Sequence, residues 1–506
     1  MRAWSVRSLA RLVVAAAVAG SVLGLFPPVF GESAPPPTVI REARLAVADL
    51  VAPSATAARI PGGVRVEEPA WTRPATACAP ITFTAMALTW QQGGTEPVRA
   101  RVSWGQRGSL EGSARLVADD AEGPDPGSPD DSGIVGTPLQ WTGEARCMRA
   151  RLRLPAGRFE DLRAVFINTS GSAAGTSPLA WVGGALARVW GMAPGSTEQA
   201  AAMTVKPHVI TRKQWGANES WRKLYCDGQP DYAPRLKMAY VHHTAGSNDY
   251  SMSEADDVVR AIYAYHVKSR HYCDIAYNFL IDRFGRIYEG RYGGMARPVI
   301  GAHAMGFNTG STGISAMGDF TSVTPPAVVR TAYKKLLAWR LDVAHLPPKG
   351  WTTMVSSGGS TTKYDEGQHV HLRIISGHRD TGYTSCPGNK LYQRLPRIRY
   401  RANQIGSPKI WRPRQTKPTI AGGSGKVRWI ADLSQSLSWT VRVADAQGTQ
   451  VRVWKGFADH LDVEWKGTTV QGKPVAPGTY HVSITARRPA GARARPAKFT
   501  IKVTAA

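Results

Sequence analysis

The side chains best suited to chemistry in this 506-residue chain fall between residues 207 and 405. His242 and His243 stand side by side in an apolar run, LKMAYVHHTA. His378 and Cys386 bracket a loop, HRDTGYTSC, that follows a second apolar run, LRIISGH. Successive strand residues point to opposite faces, so one of the two adjacent histidines can turn toward a given site. A flexible loop can fold His378 and Cys386 back onto a single ion. One imidazole from a distant strand plus this pair makes three soft N/S ligands. Zn2+ takes such a set, and three protein ligands leave a fourth position for water. The chain has five cysteines, Cys78, Cys147, Cys226, Cys273 and Cys386. Five is odd, so at least one thiol needs its own explanation. Pairing neighbours gives Cys78–Cys147 and Cys226–Cys273 and leaves Cys386 over, although four cysteines allow three pairings. On its own, a histidine and a cysteine at this spacing read first as a structural imidazole and a buried thiol.

These groups need elements to hold them. LKMAYVHHTA reads as a buried strand and LRIISGH as another. Ser251 and Glu254 form a capping box ahead of a helix, in which Val258, Val259, Ile262 and Tyr263 recur on one face. AYNFLID-RFG-RIYEG reads as a hairpin turning at Phe284-Gly285, and GISAMGDF as a strand. Thr324-Pro-Pro is expected to open a second helix, with Thr324 as N-cap and Val329, Tyr333, Leu336 and Leu337 on one side. Strands and helices in alternation predict an α/β domain with a mixed sheet.

The block from about Pro207 to Arg399 resembles the peptidoglycan recognition protein family and its relatives, the type 2 zinc N-acetylmuramoyl-L-alanine amidases. The matching pieces are WGAN, VHHTAG, CDIAYNFLIDRFGRIYEGR, IGAHAMGFNTGSTGISAMGDF and ISGHRDTGYTSCPGNKLY. The resemblance implies Zn2+ held by His242, His378 and Cys386. It implies a catalytic Tyr277, and it puts Thr384 where family amidases carry Lys or Thr. It implies a muropeptide groove of His243, Thr244, His266, Arg270, His303 and Asn308. Arg270 could pair there with a stem-peptide carboxylate in bidentate fashion. His266 and Arg270 share a face if the helix reaches them. Cys226 and Cys273 match a family disulfide. Family members that only recognise peptidoglycan lack the cysteine, so Cys386 favours an enzyme. The expected activity is metal-assisted hydrolysis of the lactyl–L-Ala amide bond. The rivals are a non-catalytic wall receptor or adhesin, and a zinc peptidase acting within the stem peptide.

Around this block the composition changes. Arg2, Arg7 and Arg11 precede LVVAAAVAGSVLGLF, a secretion signal over 1–31. A Pro/Ala-rich linker over 32–70 follows. The runs ITFTAMALTW, ARVSWG, SARLVA, ARCMRARLRL and DLRAVFIN predict a β-sandwich over 71–185, with the cluster AEGPDPGSPDDSG as a turn. A second linker over 186–206 contains the end of a short helix expected in WVGGALARVWGM. The catalytic block spans 207–405, a basic linker 406–424, and a second β-sandwich 425–506. That last stretch resembles Ig-like modules of the flagellar-hook-cap type, through LSWTVRVADAQGTQVR, VEWKGTTVQGKPVAPGTYHVSI and KFTIKV. The expected protein is multidomain, with a central α/β amidase domain between all-β sandwiches. It is secreted or wall-associated, without an integral membrane segment once the signal is cleaved.

The net charge is +26, from 63 Lys+Arg against 37 Asp+Glu. Residues 1–205 hold 19 basic and 17 acidic groups, 206–405 hold 27 and 15, and 406–506 hold 17 and 5, giving +2, +12 and +12. Such a field suits polyanions. With a wall substrate in view, these are peptidoglycan and anionic wall polymers. No motif supports nucleic acid. The plainer reading is a solvated Arg-rich surface.

Overall fold

The computed structural model describes residues 35–45, 71–91, 98–118, 123–153, 160–172 and 204–505. The signal at 1–31, most of the linkers at 32–70 and 186–206, and the helix expected in 181–192 lie outside the described residues.

The first domain is an antiparallel sheet of β1 (Val39–Arg44), β2 (Ala75–Gln91), β3 (Val98–Gln106), β4 (Ser109–Ala118), β5 (Ile134–Gly136), β6 (Gln140–Arg153) and β7 (Glu160–Asn168). The order is β1-β7-β2-β6-β3-β4, with β5 on β2. The ladder is unbroken, so the expected sandwich is one sheet wrapped around its own core of Phe83, Met86, Leu88, Trp90, Val102, Leu152 and Phe166. β1 corrects the linker expected over 32–70. VIREAR pairs antiparallel with β7 and gives the backbone groups of that edge their partners. Cys78 and Cys147 face each other across β2 and β6 and are joined as a disulfide.

The central domain has a mixed sheet, order β10-β9-β11-β8-β14. Its strands are β8 (Met238–His243), β9 (Phe279–Ile281), β10 (Ile287–Glu289), β11 (Ser311–Ala316) and β14 (Ile375–Gly377). β8 lies between β11 and β14 and is parallel to both. A central strand covered on both faces reads as a continuous apolar run, which is why MAYVHH lacks alternation. The run LRIISGH is two strands. β13 (His369–Arg373) pairs with β12 (Trp351–Val355) in a separate hairpin, and only β14 joins the main sheet.

Helix α1 (Ala255–Ala264) packs on one side. Ser251 and Glu254 bond reciprocally, Ser251 N–H to Glu254 Oε2 at 2.7 Å and Glu254 N–H to Ser251 Oγ at 3.3 Å, but in the turn ahead of the helix, whose N-cap is Glu254 with no side-chain cap bond. Its apolar face is buried as expected. The opposite face is also covered, because Ala85, Ala87, Trp141, Val165 and Ile167 of the first domain share its core. Helix α2 (Ala327–Val343) packs on the other side through Val329, Tyr333, Leu336 and Leu337, all fully buried. It begins after Pro326, and Thr324 is not its cap. A residue before proline is pushed out of helical geometry, so two successive prolines delay the start. Helix α3 (Leu395–Gln404) closes the domain.

The last sheet comprises β15 (Ile410–Gln415), β16 (Thr419–Ala421), β17 (Val427–Ala444), β18 (Gln450–Trp465), β19 (Gly478–Arg487) and β20 (Ala497–Thr504). β15 and β16 fall in the stretch expected as a basic linker. Both pair into the sheet, β15 on β17 and β16 on β20. The two ends of β17 pair with β15 and β19, and the whole encloses Trp429, Val441, Trp465, Val482 and Ile501.

Candidate metal centre and the groove around it

The central strand β8 delivers the first imidazole. His242 lies on the same face as Tyr240, two residues earlier, and both are fully buried. β14 ends at Gly377 and hands His378 to a single helical turn, His378–Asp380. Asp380 fixes that turn, accepting from the Gly377 N–H at 2.9 Å and from the Tyr392 hydroxyl at 2.5 Å. The loop then returns Cys386 to β8. Thr384 Oγ1 accepts the Cys386 N–H at 3.0 Å, and Arg379 N–H donates to the Cys386 carbonyl at 2.9 Å. Cys386 belongs to neither disulfide, while Cys226 and Cys273 are joined to each other.

These elements bring His242, His378 and Cys386 together, with ligand atoms all within 4.8 Å of one another and all three residues buried. Cys386 Sγ lies 3.7 Å from His242 Nδ1. Two ligands on one tetrahedral zinc, at about 2.3 Å for sulfur and about 2.0 Å for nitrogen, stand about 3.5 Å apart. The donor set and its spacing therefore fit that ion. The outer contacts fit as well. His242 Nε2 is 3.2 Å from His303 Nδ1, so a ligand imidazole bound through Nδ1 has a partner for its other nitrogen. The His243 N–H donates to Cys386 Sγ at 3.4 Å, a contact that favours thiolate. Burial, with repulsion from His378 and His303, holds His242 well below the usual histidine range. It is then neutral, the form that binds metal.

Tyr277 is buried, its ring 5.6 Å from that of His242 and 5.8 Å from that of His266. His266 sits in a π-turn, Tyr265–Ser269, that prolongs α1. Its Nδ1 accepts the Ala276 N–H at 3.1 Å, next to Tyr277. Desolvation, with Arg270 and Arg291 nearby, pushes its pKa down to about 3.

The other expected groove residues have different settings. His243 points away from His242, and its Nδ1 accepts the Phe320 N–H at 3.1 Å. Desolvation holds its pKa at about 4. Thr244 Oγ1 accepts the Gly318 N–H at 2.9 Å. The helix reaches them as a π-turn, and His266 and Arg270 both face the gap beside Thr244 and Tyr277. Arg270 also donates to the Ile134 carbonyl at 2.8 Å and to the Tyr272 hydroxyl at 2.8 Å. Asn308 bonds Asp125 and the Gly123 carbonyl, and its side-chain Oδ1 accepts the His303 and Ala304 N–H groups. Arg270 and Asn308 thus engage the first domain, which a reading of the central block alone misses.

Three further contributors were not singled out from the sequence. Tyr240 places its ring 5.9 Å from His242, 6.1 Å from His303 and 6.4 Å from His378. Its period-two relation to His242 is the signal that would have found it. Asp125 and Asp130 reach the groove from the first domain, and nothing local marks them.

The family profile described as N-acetylmuramoyl-L-alanine amidase matches residues 232–389, and one described as an FlgD Ig-like domain matches 417–505. Peptidoglycan-recognition protein SC2 of Drosophila melanogaster is 32% identical over 187 residues, which are 37% of this chain and 84% of that protein. Peptidoglycan recognition protein 1 of Bos taurus is 30% identical over 220 residues, 43% of this chain and 92% of that protein. Among solved structures, wild-type Drosophila PGRP-LB aligns with a TM-score of 0.29 and 25% identity, covering 37% of this chain and 92% of that one. The central block is thus an amidase-type α/β domain flanked by all-β regions. The chain belongs to the peptidoglycan-recognition protein family.

Proposed function

We propose that the protein is a secreted, zinc-dependent N-acetylmuramoyl-L-alanine amidase that hydrolyses the lactyl–L-Ala bond of peptidoglycan. The observation that carries this reading is the convergence of His242, His378 and a reduced, buried Cys386 within 4.8 Å. A receptor needs no such set. Zinc held there would supply Lewis acidity to the scissile carbonyl and to water. The chain's own groups do the rest. His303 orients His242, and the His243 N–H steadies the thiolate. Tyr277, walled off from solvent beside His242, offers its hydroxyl to the oxyanion that develops on the carbonyl. Thr384 shapes the cysteine loop through its bond to the Cys386 N–H. The relatives' names point to peptidoglycan as the ligand, and anionic wall polymers are proposed as the second partner.

Among the described residues no helix is long and apolar enough to cross a membrane. Secretion rests on the N-terminal segment of the sequence. The deciding experiment incubates purified protein with peptidoglycan, with and without chelator, and identifies the new end groups. Freed lactyl groups and new L-Ala amino termini that vanish with chelator support the amidase. Amino acids released without freed lactyl groups indicate the peptidase. Binding without cleavage, indifferent to chelator, indicates the receptor.

A further inference from the structure

Strands β3, β4 and β6 of the first domain turn two unlike faces. Val98, Ala100, Val102, Leu116, Ala150 and Leu152 fill its core. The alternate positions carry Arg99 and Arg101 on β3, Arg115 on β4, and Arg149, Arg151 and Arg153 on β6. Arg153 is half-buried and the other five are exposed. The register sets them against each other. Arg101 stands between Arg115 and Arg151, and Arg99 faces Arg153. Like charges directly opposite each other destabilise a sheet, where an opposite charge would stabilise it. Among the described residues none of the five exposed arginines makes an ion pair. Arg149 and Arg151 reach neutral groups, the Thr76 hydroxyl at 3.4 Å and the Thr72 carbonyl at 3.3 Å, and Arg101 lies over the Trp71 ring at 4.4 Å. Residues 1–205 hold 19 basic and 17 acidic groups, so this cluster is a local concentration within a nearly neutral region.

Arg101, Arg115, Arg149 and Arg151 line a shallow groove of about 360 Å³, together with Ser103 and Ser113. The two serines face each other across β3 and β4, and neither hydroxyl has a partner among the described residues. Guanidinium forks and free hydroxyls are donors that hold oxyanions. Neighbouring strands are about 5 Å apart and alternate residues of one strand about 7 Å, so a chain with an oxyanion on each short repeat meets several arginines at once. No aromatic ring lines the groove, which therefore lacks the stacking platform of a single-strand nucleic-acid site. Its apolar lining, Val102 and Ala114, is not exposed and offers a bilayer no anchor. The domain that carries the patch is fixed to the central one. Asp125 accepts the Asn308 amide at 2.8 Å, and Asp130 takes Arg291 through both oxygens, at 2.5 and 2.7 Å. A polymer held on the patch is then held at a set distance from the metal centre.

We propose that this arginine face is a docking surface for an anionic wall polymer, one that carries a phosphodiester or carboxylate on each short repeat. That the polymer belongs to a wall rests on the function proposed above. The test measures binding of polyglycerol phosphate and of polygalacturonate to the full chain in 0.1 M salt, by calorimetry. The triple variant Arg101→Gln, Arg115→Gln, Arg151→Gln should lose affinity by about tenfold or more. It should unfold at no lower temperature than the wild type, since it removes repulsion. A variant with the same net charge, Lys455→Gln, Lys466→Gln, Lys473→Gln in the last domain, should lose much less. Arg101→Gln alone serves if the first variant does not fold. Free glycerol phosphate should bind far more weakly than the polymer, because one anion meets few of the cations at once. Equal losses in the two triple variants leave only the overall field of the molecule and overturn the patch. So does a wild type that binds neither polymer, or that binds DNA or anionic phospholipid vesicles more tightly. Lactyl release from a soluble muropeptide should be the same in all these proteins. Its absence from the wild type would overturn the amidase reading, while polymer binding would still decide the patch.

Discussion

Cys386 carries the most weight of any single residue. Its thiol is buried, lies outside both disulfides and accepts a backbone N–H. Cys386→Ser and His378→Ala should each abolish hydrolysis and remove bound zinc, read together as metal content by mass spectrometry and as lactyl release. Full activity in either variant after metal stripping would remove zinc from the reaction. Tyr277→Phe tests a different link. A donor used only as charge develops should cost kcat about 10²–10³-fold and leave KM nearly unchanged. A rise in KM alone would make Tyr277 a binding residue. His266 predicts a pH effect on stability. Its pKa is pushed down to about 3 in the fold, and in the unfolded chain it titrates near 6.5. Between those values the unfolded state binds the extra proton, so stability is full above about pH 6.5 and falls as pH drops, by about 1.4 kcal/mol per pH unit. Protonation would also set an N–H against the Ala276 N–H that Nδ1 now accepts. His266→Gln, which keeps an acceptor and cannot titrate, should make the pH dependence of the urea midpoint below pH 6 shallower by one proton's share, the buried His242 and His243 keeping theirs. An identical slope in that variant would assign the acid sensitivity to other groups.

At the scale of elements, what could be read from the sequence depended on whether the cause was local. MAYVHH declares a strand buried on both faces, and α1 declares its core face, while the Ser251–Glu254 pair closes the turn before it rather than capping it. The hairpin at Gly285 is equally plain, with that glycine at φ +83° and Asp282 accepting the Phe284 and Arg286 N–H groups. The π-turn after α1 was not legible, because a single inserted residue leaves no mark on an apolar periodicity. Nor was the docking of segment 123–139. A run of Gly, Pro and Asp looks the same whether it faces water or a neighbouring domain, and Asp125 and Asp130 gain meaning only from Asn308 and Arg291. Strands β1, β15 and β16 were hidden for a related reason: short segments become strands when an edge offers them a ladder. One element contact bears directly on the metal centre. The Tyr333 hydroxyl on α2 donates to the His242 carbonyl at 2.7 Å and reaches the Ile314 carbonyl at 3.3 Å, pinning the helix to β8 where it carries the ligand. Tyr333→Phe should lower unfolding free energy by about 1–2 kcal/mol, measured by urea titration. Zinc content should hold, since Phe keeps the packing. Loss of zinc with unchanged stability would give this hydroxyl a part in ligand geometry instead.

For the whole molecule the open question is what the +26 does. The excess is +12 in residues 206–405 and +12 in 406–506. In the last stretch three of the five acids are already matched: Asp462 with Arg428, Glu464 with Lys426, and Asp432 with His460. The surplus cations there therefore face solvent or a partner more than they face acids of the same domain. That domain is also joined to the central one through a buried junction. Lys409 and Arg495 reach Asp342 at the end of α2, at 3.2 and 3.3 Å. This junction holds two regions of surplus positive charge side by side. Surface attraction of this kind acts over about 10 Å in 0.1 M salt and about 3 Å in 1 M salt. Co-sedimentation with purified cell walls should therefore weaken steadily as salt rises across that range. Lactyl release from a soluble muropeptide, which needs the buried centre and not the field, should change much less. The two measurements separate tethering from chemistry. If wall retention ignores salt, the charge is a solvated surface, and any hold on the wall comes from the groove alone.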